Sequence, residues 1–156
     1  MIKIEKSTIK IKGKDYNFLK PTAVDLIEIE DKCLRPDGTV DGVLYNELML
    51  GLVSRTLKID DLVEFVPQDV ELSDGNVLSL PQIPYKQWVE ILTEIGGFSR
   101  VKLAKAAIAS TGVSGDITLE GFKYEDIDSL AMAFFSLYET EELREVVEEI
   151  STFCFS

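Results

Sequence analysis

Apolar residues recur with period two at the start of the chain: Ile2 and Ile4, then Ile9 and Ile11, then Tyr16 and Phe18. This alternation, interrupted at Gly13-Lys14-Asp15, predicts a β-hairpin over residues 2–20 with one buried face. Lys3, Lys10, Lys12 and Lys14 then point the other way, where they solvate that face or blunt an edge strand.

After Pro21 the period changes to that of a helix. Thr22 followed by Asp25 has the form of a capping box, with Asp in place of the usual Glu or Gln. Val24, Ile27 and Leu34 can share one helical face, with Leu26 and Cys33 at its border. The stretch RPDGTVDG is turn chemistry, and VLYNELMLGLVSRTL predicts a second helix with Leu44, Leu48, Leu52 and the Arg55 stem as its stripe.

Residues 57–83 leave the helical pattern, and a hairpin is inserted at about 62–83. Two short apolar arms near 70–80 flank Asp74-Gly75, a hairpin-turn pair in which both positions call for positive φ. Pro84 opens a further helix that stops at Gly96-Gly97, and Ser99 can cap another that ends at Thr111-Gly112. TGVSGDITLEGF reads as a connection, and YEDIDSLAMAFFSLYE as a helix apolar nearly all round and therefore central. A last helix can be capped by Thr140, with Glu141 and Glu142 in its first turn where the dipole favours acid. The expected class is α+β: a mostly helical body over 22–156 with a small N-terminal antiparallel layer, in a single domain over 1–156 without repeats.

Composition narrows the function classes. Among 156 residues, 46% are hydrophobic and 28% charged, as in an ordinary globular protein. No apolar run approaches the length of a membrane span, and the N-terminal stretch lacks the continuous apolar block of a signal peptide, so a cytoplasmic protein is expected. The chain has no histidine, which excludes Ser-His, Cys-His and two-histidine metal chemistry. Cys33 and Cys154 belong to no C-x-x-C pair and read as small buried hydrophobes. The net charge is −12, and residues 111–156 alone carry 11 acidic against 2 basic residues. Such a surface repels a phosphate backbone, which argues against nucleic-acid binding, whereas a basic protein partner is compatible with it.

Candidate chemistry fails on spacing. GVSGD and GKDY lack the phosphate-loop pattern. Counted from Asp37, a calcium loop would place Thr39 third, Asp41 fifth, Gly42 sixth and Leu48 twelfth, where a glutamate should close it; Glu47 falls one place early. The carboxylates of EIEDK and KYEDIDS read as solvated helix faces. No catalytic residue, cofactor or metal site is expected, and the protein is expected not to be an enzyme.

Two places suit contact with another protein. Trp88, the single tryptophan, either packs the core or anchors a contact, with Ile91 beside it. In the last helix Leu143, Val146, Val147, Ile150 and Cys154 keep helical spacing up to the aromatic Phe153 and Phe155. That stripe either docks on the body or takes a partner's apolar helix through Val147, Ile150 and Phe153, with acids at the rim.

The stretch IKGKDYNFLKPTAVDLIEIED, a hairpin followed by a P-T-A-x-D-L helix start rich in acids, and the ending EELREVVEEISTFCF resemble the tail assembly chaperones of long-tailed bacteriophages and prophages. The resemblance covers about the first fifth and the last tenth of the chain. It implies a non-catalytic role in the host bacterial cytoplasm: keeping the helix-rich tape-measure protein soluble and assisting tail-tube subunits to assemble around it, with self-association also compatible. Genes of that family often contain a ribosomal slip that extends a minority product into a second domain. VPQDVELSDGNVLSLPQIP has no counterpart role in the family, and as a binding arm it would move the partner surface there. Two other classes fit the composition, a structural tail-completion or connector protein that stays in the particle and an acidic inhibitor that mimics nucleic acid.

Overall fold

The computed structural model of the chain describes residues 6–113 and 117–156 and shows an α+β architecture. Lys6–Ile11 (β1) and Lys14–Leu19 (β2) pair antiparallel, with Ile9 opposite Tyr16 and Ile11 opposite Lys14. Lys12 (φ 54) and Gly13 (φ 79) both adopt left-handed backbone, the primed-turn geometry whose twist matches the strands. The turn thus begins one residue before the expected Gly13-Lys14-Asp15. Ile11 and Phe18 are buried, Ile9 and Tyr16 half-buried, and Lys10, Lys12 and Lys14 exposed. The predicted positions Ile2 and Ile4 lie outside the described residues.

Ala23–Cys33 (α1) starts on the capping box read from the sequence: Asp25 N–H donates to Thr22 Oγ1 at 3.1 Å and Thr22 N–H to the Asp25 carboxylate at 3.2 Å. Asp41 caps Gly42–Val53 (α2) by accepting from Leu44 N–H at 3.1 Å, and Asp37 accepts from the Thr39 N–H and hydroxyl at 2.9 and 2.6 Å. The aspartates of RPDGTVDG are therefore spent on turn and cap. In α2 the buried residues are Val43, Met49, Leu50 and Val53, while Leu44, Leu48 and Leu52 are half-buried. The predicted stripe is displaced because α2 is apolar on nearly every side, so periodicity does not select a face. Ile59–Leu62 (α3) is a single turn within the stretch expected to be non-helical.

Gln68–Glu71 (β3) and Val77–Leu80 (β4) form the second hairpin. Leu72 N–H donates to Asn76 O at 2.8 Å and Gly75 N–H to Leu72 O at 2.9 Å, so three residues, Ser73 to Gly75, make the loop. Only Gly75 takes positive φ (88°); Asp74 does not, which corrects the expected two-residue turn to a wider one. Tyr85–Ile95 (α4) stops at Gly96 (φ 75), Arg100–Ser110 (α5) is capped by Ser99, and Tyr124–Tyr138 (α6) and Glu141–Phe155 (α7) follow. Within the predicted connection after α5, residues 114–116 lie outside the described residues.

These elements form two compact units: one from residues up to Glu64 together with Glu141–Ser156, the other Phe65–Thr140. The sequence reads as one domain because the boundaries, Glu64-Phe65 and Thr140-Glu141, fall between adjacent residues and carry no polar linker. In the first unit α2 packs on α1, β2 and α7, and α7 also meets β1. Lys12 in the β1–β2 turn is ion-paired with Glu142 of α7. In the second, α5 packs on α6, α4 and β4, and β3 on α6. Its core is aromatic: Phe65, Tyr85, Trp88, Phe134 and Tyr138 are all buried.

Candidate partner-binding surfaces

The five residues singled out in the sequence divide between core and surface. Trp88 is completely buried, stacked on Tyr138 with ring centroids 4.6 Å apart and set edge-on to Phe134 at 5.1 Å. Of the two roles the sequence leaves open, contact anchor and core packing, this burial fits core packing: in the first turn of α4 Trp88 points into the aromatic cluster. Ile150 is likewise buried, on the α7 stripe Leu143, Val146, Ile150 and Cys154. This stripe repeats at i, i+3, i+7 and i+11, so Val147 and Phe153 fall on its flanks and remain half-buried. Ile91 is half-buried on α4. Trp88 and Ile91 belong to the second unit and the other three to the first.

The aromatic end of α7 is held within its own unit. Phe153 meets the Phe18 ring edge-on at 5.8 Å, and Lys20 Nζ sits 5.1 Å from the Phe153 centroid. The same ammonium donates to Phe153 O and, at 2.7 Å, to Ser156 O. A cation at the last carbonyls of a helix satisfies acceptors that have no intrahelical donor and complements the dipole. Phe155, by contrast, is exposed.

The face that Val24, Ile27 and Leu34 share on α1 is turned to solvent. Leu26, Ile29 and Cys33 are the buried residues, whereas Val24 is 63% exposed, Ile27 56% and Leu34 56%. Val40, 54% exposed, extends this face through an antiparallel bridge to Leu34. Both sets keep helical spacing, so the pattern alone does not say which of them turns inward. Glu28 and Asp31, each four residues beyond an apolar member of the face, are also exposed, and neither is ion-paired among the described residues.

The second unit has surface features of its own. An open groove of about 370 Å³ runs between α4 and α5, lined by Ile91, Ile95 and Ala106 with Glu94, Lys102 and Lys105 around them. Nearby in sequence, Phe98 is 60% exposed while resting edge-on against Phe135 at 5.8 Å. Val101 and Met132 are exposed too. Arg100 donates to Tyr124 Oη at 2.8 Å and to Asp128 at 3.0 Å, and the bond to Asp128, followed by that to Tyr124, pushes the guanidinium pKa up. The signal for Phe98 was present in GGFSR, an aromatic between a helix stop and a helix cap, but a loop residue follows no periodicity that reveals exposure.

The hairpin without a family role borders a cleft of about 690 Å³ that includes Leu72, Val77, Leu78, Phe122 and Asp126. Asp126 is buried and accepts from Ser73, which holds its carboxyl below the usual range. Among the described residues, no group of three or more Cys, Asp or Glu is placed to hold a metal ion, and no helix is long and apolar enough to cross a membrane. Compared with family models, curated proteins and solved structures, the chain matches none.

Proposed function

We propose that this protein is a non-catalytic tail assembly chaperone of a bacteriophage or prophage, which binds helical segments of the tape-measure protein in the host cytoplasm and assists assembly of the tail tube. The observation that carries the reading is the exposed apolar face of α1, with Val24 and Ile27 in solvent one turn apart. Large aliphatic side chains set in a row on a charged surface suit transient cover for another protein's apolar stripe. The residues that resemble the chaperones support the same reading, since IKGKDYNFLKPTAVDLIEIED forms the last residue of β1, the turn, β2 and the capped start of α1.

The test is co-expression with a helix-rich tape-measure protein of the same phage or prophage. The soluble fraction of that protein should rise, and it should be captured by the tagged chain. Failure to capture any neighbouring structural protein overturns the reading. Mass spectrometry of purified particles separates it from a connector or completion protein: a chaperone is absent, a component is present at fixed stoichiometry.

A further inference from the structure

The exposed side of α1 joins two kinds of group. Val24, Ile27 and Leu34 supply apolar contacts, continued by Val40, along about 15 Å of helix. Glu28 lies one turn after Val24 and Asp31 one turn after Ile27, both exposed and without an ion-pair partner among the described residues. Glu30 and Asp37 are exposed at its margin, where Lys32 is the one exposed cation of α1. We propose that this face docks an amphipathic helix of another protein whose apolar stripe is flanked by lysine or arginine, and that the acidic rim, rather than the apolar contacts, selects it. The inference rests on the chaperone reading and names the chemistry of the partner segment.

Three or four partly exposed aliphatic side chains give contact without discrimination, because any apolar helical stripe satisfies them equally. Discrimination comes from the carboxylates: a basic flank gains from them, and an acidic flank meets like charge, in a chain whose net charge is already −12. A second copy of this chain is a poor occupant. The solvent side of its α7 carries Glu141, Glu145, Glu148 and Glu149, which would set acid against acid.

Two synthetic helical peptides with the same apolar stripe, one flanked by lysine and one by glutamate, are titrated into the full chain by fluorescence anisotropy. At low salt the lysine peptide should bind about tenfold or more tightly than the glutamate peptide, the margin expected of a few exposed charge pairs, and the gap should narrow at about 0.5 M salt. Val24→Ser/Ile27→Ser should abolish binding of both peptides, and circular dichroism with a thermal midpoint verifies the fold. Glu28→Lys/Asp31→Lys, which leaves the apolar face intact, should invert the preference. Equal affinity for the two peptides, or binding that survives the serine variant, overturns the proposal. If the tape-measure protein is captured equally by wild type and serine variant, the α1 surface fails while the chaperone reading stands. If the lysine peptide binds as expected and no structural protein is captured, the surface stands and the chaperone reading fails.

Discussion

Ser73 donates twice to Asp126, from its backbone N–H at 2.8 Å and from its hydroxyl at 2.7 Å. The two bonds tie the loop of the β3–β4 hairpin to the first turn of α6, where a carboxylate also meets the positive end of the helix dipole. The hydroxyl bond, then the backbone bond, lowers the Asp126 pKa. The charged form is therefore favoured in the folded protein. Its contribution is fully present above the unfolded value of about 3.9 and is lost as pH falls through the lower folded value. Ser73→Ala should raise the Asp126 titration midpoint, followed by carboxyl NMR, and acid unfolding of the 65–140 unit should begin at higher pH. An unchanged midpoint would show that the hydroxyl contributes nothing.

Tyr138 makes a second connection inside the same unit. Its hydroxyl accepts from Ile83 N–H at 2.8 Å and faces Ile83 O at 3.4 Å, entirely out of solvent. Tyr138→Phe keeps the ring against Trp88 but leaves a buried N–H without this acceptor, a loss of about 1–3 kcal/mol. Trp88→Ala removes the ring itself and should cost about 3–5 kcal/mol. Trp88→Phe should cost clearly less, because it keeps an aromatic side chain and deletes an indole N–H that has no hydrogen-bond partner among the described residues. Urea unfolding measures all three. In the wild type and Tyr138→Phe, the emission of the single tryptophan reports this unit and should shift to the red as it unfolds.

The thiols of the first unit provide an independent measure. Burial pushes the Cys154 pKa up to about 11 against a smaller opposing effect of Lys20, and Cys33 is raised by burial and then by the charge of Asp41. Both side chains are buried. At pH 8 a thiol reagent should modify neither in the folded protein and both in denaturant, because the reacting thiolate is scarce and shielded. The neutral thiol is the favoured form, so this stabilisation is intact below the unfolded value of about 8.5 and fades as pH rises toward the folded value. Rapid labelling of Cys154 under native conditions would mean that the α7 end opens readily.

Legibility in the sequence follows the kind of constraint each residue carries. The β1–β2 hairpin, the Thr22–Asp25 box, the Gly96 stop and the Ser99 cap were readable because backbone geometry acts locally: a left-handed turn or an orphan N–H demands particular residues within three or four positions. Which face of a helix turns inward is a tertiary matter. Helix α2 is apolar all round, and α1 has two sets of aliphatic residues that both keep helical spacing, so the pattern was real while its direction was open. Trp88 shows the same limit, since one residue type serves a core and an interface equally well. The division into two units left no mark, because α7 joins the N-terminal elements across 76 intervening residues, Phe65–Thr140, with no linker at either crossing.

The α1 faces can be told apart by substitution. Leu26 and Ile29 are buried, so Leu26→Ala or Ile29→Ala should each cost about 2–5 kcal/mol through lost transfer energy and an unfilled cavity. Val24→Ser and Ile27→Ser act on side chains more than half exposed, and each should change stability by no more than about 0.5 kcal/mol. The sequence pattern, which places Val24, Ile27 and Leu34 on one helical face with Leu26 at its border, is equally compatible with the reverse order. Urea midpoints of the four variants decide between them, with unchanged m-values showing that the unfolding transition is still the same one. If the serine variants prove the costly ones, the aliphatic row on α1 is core and is not available to a partner. If the alanine variants do, Val24 and Ile27 stand in water for a reason other than the stability of the fold.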